Sequence, residues 1–288
     1  MGISTQQAFD CFRSDDLIGI GMEADAVRRR MHPEGVVSYR CLHEVDVASA
    51  LRPSSGASAA TSTALRLNCV TAESLSLVGE LCTELRSSRP EGWIEVGLQS
   101  RTVDSETAKW LPEWRNRGVD SVFVDPREEN GDYAAVTAVA LSIHRAAHAI
   151  GMRTALGVAF GCGESLQDRL KYLEAARQVQ EESGGFAAFV MLGLDAPGGR
   201  ELDGATAVER LKMLSVARMF LDNIAHAQSG RSGAGLKVLQ TGLRFGANDA
   251  ELRLGQPGVT EQDLRRVIRD AGFRPVERDG SYSTLFLN

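Results

Sequence analysis

Apolar residues recur along the chain in two alternating rhythms. Leu75, Val78, Leu81, Cys82 and Leu85 fall on one helical face, with Thr71 placed to cap the helix and Arg89-Pro90 to close it. Trp93 to Leu98 then reads as a short buried strand. Ser121 to Val124 is another strand, and after a polar loop a helical pattern runs from Tyr133 to Ile150 and stops at Gly151. Arg153 to Phe160 is again strand-like, Gly161-Cys162-Gly163 makes a tight turn, and Ser165 with Asp168 forms a capping box. The helix it opens is marked by Leu166, Leu170, Leu173, Ala176 and Val179 and ends at Ser183-Gly184-Gly185. Phe186 to Leu192 is the next strand, a helix from Ala205 to Ala225 carries Leu211, Leu214, Phe220, Leu221 and Ile224, and a short terminal helix runs from Thr260 to Gly272.

Strands that alternate with helices at this spacing build a mostly parallel sheet, because each helix returns the chain to the starting edge. Repetition over nearly all 288 residues predicts an α/β fold with a single (β/α)8-type TIM-like barrel. The expected organisation is an N-terminal helical segment over 1–30, then a barrel domain over 31–288 that includes a C-terminal helix and tail. No long Pro- or Ser-rich linker divides the chain, and Pro53 to Thr63 is the low-complexity stretch.

Composition narrows the functions. With 43% hydrophobic and 24% charged residues the chain is ordinary globular material. A formal charge of −6 offers no electrostatic basis for nucleic-acid binding. No apolar run reaches the roughly 18 residues of a membrane span, and no targeting segment is visible, so a cytoplasmic location without membrane partners is expected. The five cysteines, at positions 11, 41, 69, 82 and 162, are odd in number and contain no C-x2-C or C-x3-C pair. Neither a disulfide framework nor a local metal clip is expected from them.

Several segments carry a family resemblance: His32 to Tyr39, Glu181 to Phe189, Val216 to Ile224, Leu243 to Asp249 and Ile268 to Asp279. They resemble the radical S-adenosylmethionine (SAM) enzymes of the futalosine route to menaquinone, aminofutalosine synthase and dehypoxanthinyl futalosine cyclase. The resemblance implies a barrel with its cavity at the C-terminal ends of the strands. It also implies a 4Fe–4S cluster held by C-x3-C-x2-C on the loop after the first strand, where it cleaves SAM to a radical. Matching outward from Tyr39 places those cysteines at Leu51, Ser55 and Ser58, none of which supplies a thiolate. The segment before them reads His43 to Ser49 and departs from the family as well. The family comparison further implies a chain shortened by a strand–helix portion between Ala64 and Trp93, and therefore an incomplete barrel as one alternative.

Other positions remain candidates for ligand binding. Gly157 to Glu164 resembles the G-x-I-x-G-x-x-E pattern on which the family rests the adenine of SAM, which marks Gly161 and Glu164. A capped strand–helix turn explains the same residues. Glu128 matches a SAM-contacting glutamate of the family, in a loop whose glycines are replaced, or is a solvated turn residue. Arg244, Asn248 and Asp249 offer hydrogen bonds to a nucleoside or a carboxylate, or serve turn chemistry and an ion pair. His144 and His148 lie one helical turn apart and form either a metal pair or a packed face.

The expected function is therefore a cluster-less pseudoenzyme relative, without iron–sulfur, that binds SAM or another nucleoside-like ligand. It would work alone, by self-association or as an accessory subunit to an intact paralogue. The alternatives are a non-radical enzyme using the carboxylates of Glu164, Glu128 and Asp249, and an interaction protein whose cavity is filled.

Overall fold

Helices and strands alternate through the chain in the rhythm that the hydrophobic pattern predicts. The computed structural model describes residues 2–50, 64–128, 131–194, 205–229, 235–255, 259–282 and 285–286. In chain order the elements are α1 (Thr5–Arg13), α2 (Leu17–Met31), β1 (Val36–Asp46), α3 (Val47–Ala50), β2 (Ala64–Cys69), α4 (Ser74–Ser88), β3 (Trp93–Gln99), α5 (Leu111–Asn116), β4 (Ser121–Asp125), α6 (Tyr133–Ala149), β5 (Thr154–Phe160), α7 (Leu166–Ser183), β6 (Phe186–Gly193), α8 (Ala207–Phe220), β7 (His226–Gln228), α9 (Leu236–Gly242), β8 (Asp249–Leu254), α10 (Glu261–Asp270), β9 (Arg274–Arg278) and β10 (Leu285–Phe286).

Strands β1 to β8 run parallel in sequence order, and β1 closes the ring by pairing with β8 from Ser38↔Asp249 to His43↔Leu254. The barrel is complete, which corrects the expectation of a missing strand–helix portion: β2 and α4 occupy the stretch between Ala64 and Trp93. The sequence Ala-Leu-Arg-Leu-Asn-Cys of β2 hides its strand character, because Arg66 and Asn68 interrupt the apolar run. Leu65, Leu67 and Cys69 face the helices, where they pack with Leu75, Val78 and Cys82 of α4. Helix α4 itself begins at Ser74, with Thr71 in the preceding turn, where its Oγ1 lies 3.0 Å from Ser74 Oγ. The capping box of α7 forms as predicted, with Ser165 accepting from Asp168 N and Asp168 from Ser165 N.

The N-terminal helices α1 and α2 lie against the barrel helices and bury Ala8, Phe12, Ile20 and Ala24 in the larger core. At the other end of the chain, β9 pairs in parallel with Val36 to Tyr39 of β1. Ser38 and Tyr39 pair with β8 as well, so β9 occupies the edge of β1 opposite β8, below the start of β2. The tail after β9 thereby lies under the N-terminal end of the barrel.

The barrel interior has two unlike walls. Phe123 of β4, Ala155 of β5 and Ala188, Val190 and Leu192 of β6 form an apolar wall. The facing wall, on β8, β1, β2 and β3, carries Glu251, Arg40, Arg66 and Glu95, all buried. Gly97 of β3 makes room for it: a Cβ there would collide with Asn68 Oδ1 and the Arg66 side chain.

Candidate functional site

In a strand, alternate residues point to one face. That rule puts Ser38, Arg40 and Glu44 of β1, Arg66 and Asn68 of β2, Glu95 and Gln99 of β3, Asp125 of β4, and Asp249, Glu251 and Arg253 of β8 on the inside. Register then sets their partners. Arg40 lies beside Glu251, and Arg66 sits between Glu44 and Glu95. Arg40 donates to Glu251 at 2.6 and 2.9 Å and to Glu95 at 3.3 Å. Arg66 donates to Glu95, to Glu44 at 3.0 Å and to Glu251 at 3.4 Å. Burial by itself would raise the Glu251 carboxyl, but Arg66 and Arg40 outweigh it and bring Glu251 down to about 2. The same carboxylates hold both guanidiniums more firmly protonated than usual against the penalty of burial. These four groups fill the barrel's middle as a charge-balanced cluster.

Above them the barrel opens. A cavity of about 170 Å³ at the C-terminal ends of the strands is lined by residues that include Glu44, Arg66, Asn68, Gln99, Asp125, Arg127 and Arg253. Arg127 chelates Asp125 through Nε and Nη2, at 3.0 and 2.7 Å, and reaches Gly193 O. Arg253 lies 3.3 Å from Glu44. The lining offers both donors and acceptors, which suits a polar ring or a small charged group. The sequence reading missed all of the charged residues in this lining. The signal was present, as charged or polar residues spaced by an even number of positions (Arg40 and Glu44, Arg66 and Asn68, Glu251 and Arg253), but it contradicts the apolar run by which buried parallel strands are usually recognised.

Below the cluster, at the barrel floor, lies Asp249. It is fully buried, with Oδ1 accepting from Arg278 Nε at 2.7 Å and Ser38 Oγ at 2.6 Å. Its Oδ2 accepts from Arg278 Nη2, Gln228 Nε2 and the Tyr282 hydroxyl at 2.7, 2.6 and 3.1 Å. Burial opposes ionisation, but Arg278 prevails and lowers the carboxyl. Asn248 joins β7 to β8, accepting from Ala227 N and pairing with His226. Arg244 stacks on Phe273, whose other partner is Arg28, at 4.7 and 4.6 Å. These three candidates therefore stand away from the mouth cavity.

Gly161 and Glu164 stand at the mouth end, in the turn after β5. Gly161 and Gly163 adopt positive φ, of 74° and 94°. The buried Glu164 carboxylate accepts from Gly161 N at 2.9 Å and Cys162 N at 2.7 Å and pairs with Arg169, which also holds Glu209. Its oxygens hold the turn in shape. Glu128 is exposed after β4, its side chain over Gly131. Leu51, Ser55 and Ser58 lie outside the described residues.

The histidine pair is packed. His148 bonds Ser183 and Thr154, while His144 is fully buried against Phe186 with neither ring nitrogen hydrogen-bonded. Burial lowers His144 to about 3, with a further push from His148. His144→Leu is expected to raise stability by about 1 kcal/mol, because it removes unsatisfied polar atoms from the core. A urea midpoint below that of the parent would contradict this.

The donor set does not fit a family-type cluster. Such a cluster needs three thiolates from one short loop. Here the cysteines stand on α1, β1, β2, α4 and the turn after β5, all as free thiols. Burial pushes Cys41 and Cys69 up to about 12 and Cys82 and Cys162 up to about 11, which favours the protonated form. Among the described residues no three His, Cys, Asp or Glu side chains gather into a metal site. Nor is any described helix long and apolar enough to cross a membrane.

A closed parallel barrel defines a TIM-type fold, and its polar cavity lies at the C-terminal end of the strands, where such barrels carry their sites. No family model matches the chain. The aminodeoxyfutalosine synthase of Thermus thermophilus is 34% identical over 160 residues, 49% of this chain and 43% of that protein. The enzyme of the same name from Streptomyces coelicolor is 33% identical over 217 residues, 67% of this chain and 53% of that protein. The chain thus spans about half the length of the curated relatives it matches. Among solved structures, methylornithine synthase superposes with a TM-score of 0.67 at 12% identity, covering 96% of this chain and 94% of that one, a likeness of fold. The chain is a member of the radical SAM family, as the resemblance in the sequence implied.

Proposed function

We propose that this chain is a cluster-less member of its family that binds a nucleoside-like or SAM-like ligand at the barrel mouth, without radical chemistry, alone or beside an intact paralogue. The observation that carries this reading is the coexistence of a charged mouth cavity with cysteines dispersed over five separate elements. A barrel that had lost all function would gain stability by filling its mouth with apolar side chains, since buried ion pairs are weak stabilisers. The open, polar mouth favours a ligand site over the filled-cavity alternative. Of the three carboxylates considered for acid–base work, Glu164 and Asp249 already spend their oxygens on Arg169 and Arg278, and the carboxylates that line the cavity are Glu44 and Asp125.

Native mass spectrometry and thermal unfolding of the purified full chain test the proposal. The expected result is an iron-free protein whose melting temperature rises with SAM, adenosine or a futalosine-type nucleoside. At a hundredfold excess over Kd the gain is about 2.7 kcal/mol. A 4Fe–4S electron paramagnetic resonance signal after anaerobic reconstitution would overturn the cluster-less reading. Indifference to every ligand in the panel would overturn the binding reading.

A further inference from the structure

The three arginines of the mouth are not equally engaged. Arg66 is shared among Glu44, Glu95 and Glu251. Arg127 holds Asp125 through two nitrogens and caps a carbonyl with a third. Arg253, at the C-terminal end of β8, has a single acid partner among the described residues, Glu44 at 3.3 Å, and that acid already serves Arg66. Its Nε is buried with no hydrogen-bond partner among the described residues. A buried donor left unpaired is unfavourable, so the arrangement is one that an incoming acceptor would relieve.

Charge at this point favours an anion. Burial lowers the Arg253 pKa, and Arg66 and Arg127 lower it further, against the opposing pull of Glu44 and Asp125. The cavity lining itself holds three arginines, Arg66, Arg127 and Arg253, against two carboxylates, Glu44 and Asp125. The same two carboxylates, Glu44 and Asp125, disfavour a multiply charged guest. A guanidinium presents its donors as a planar fork that matches a carboxylate, and the cavity's roughly 170 Å³ accommodates a small group of that kind.

We infer that Arg253 is the anchor of a carboxylate-binding subsite in the barrel mouth, selective for a singly charged carboxylate on the ligand. The inference rests on the mouth being a ligand site, as proposed above. Glu44 is the internal competitor: it holds Arg253 loosely until the guest's carboxylate takes the guanidinium.

The test is a titration of the full-length protein, labelled with ¹⁵N-arginine, with butyrate, its neutral isostere butyramide, and inorganic phosphate at matched ionic strength. Butyrate is expected to shift one arginine Nε–H resonance saturably, while butyramide leaves it in place and phosphate binds more weakly. Arg253→Gln should abolish the shift, Arg253→Lys should weaken binding at least fivefold through loss of the fork, and Glu44→Gln should tighten it. Arg253→Gln is expected to fold, because Glu44 keeps Arg66 as a partner and no carboxylate is stranded. A shift that survives in Arg253→Gln overturns the assignment, as does phosphate binding tighter than butyrate. If nucleosides or SAM stabilise the protein while butyrate leaves Arg253 untouched, this inference alone falls. If neither class of compound acts, the ligand site falls with it.

Discussion

Arg278→Ala is expected to destabilise the protein by about 3–5 kcal/mol, the usual cost of stranding one member of a buried ion pair. Both side chains of the Arg278–Asp249 pair are 0% exposed, and the guanidinium meets both carboxylate oxygens at 2.7 Å. With Arg278 gone, Asp249 keeps Ser38, Gln228 and Tyr282 as donors but faces burial without a counter-charge. The tail would loosen as well, since Arg278 lies 3.6 Å from the centre of the Tyr282 ring and His226 stacks on that ring from β7. Urea denaturation measures the loss, and hydrogen exchange in β9 reports whether the floor opens first. The double variant Arg278→Met, Asp249→Leu should recover most of the stability, because it removes the pair rather than half of it. A single variant within 1 kcal/mol of the parent would show that the floor does not depend on this pair.

Acidification is expected to destabilise the protein well before its carboxylates titrate. Burial lowers His144 to about 3 and His148 and His226 to about 4, from an ordinary 6.5. As pH falls below 6.5 the unfolded chain takes up protons at these histidines and the folded chain does not, so proton uptake pulls towards unfolding. Stability therefore falls from pH 6.5 down to about 4 through His148 and His226, and on to about 3 through His144. At pH 5 the fully buried His144 alone accounts for a loss of about 2 kcal/mol, on 1.36 kcal/mol per unit, and the less buried His148 and His226 add smaller amounts. A second loss follows below pH 4.5, where Glu251 begins to protonate in the unfolded chain but stays charged in the folded one down to about 2. Urea midpoints at pH 7.5 and 5.0 measure the first effect, and His144→Leu should remove the largest part of it. Equal midpoints for the parent at the two pH values would mean that these imidazoles are not held neutral.

Much of the fold was legible residue by residue. The helix faces of α4, α6 and α7, the Ser165/Asp168 capping box and the strands β3, β5 and β6 follow from local rules of spacing, capping and apolar runs. Strand β2 was not legible, because Arg66 and Asn68 point into the barrel and break the apolar run that marks a buried strand. The three-residue β7 is too short to show a period. The candidate site was less legible than the fold: Gly161 and Glu164 were correctly placed in a tight turn, whereas the charged residues of the mouth passed unnoticed.

What the sequence by itself determined is local and countable: alternating strand and helix, the caps that start the helices, and five cysteines none of which lies within three residues of another. Depth within the barrel was decided only by the tertiary structure. Asp249 and Arg253 are four residues apart on one strand and face the same interior, yet at about 3.3 Å per residue they stand roughly 13 Å apart along it. Asp249 is locked into the floor by a tail that arrives 29 residues later, and Arg253 lines the open mouth. Periodicity tells which face a side chain takes. How far along the barrel it sits, and whether its charge is already answered there, depends on strand register and on partners remote in sequence.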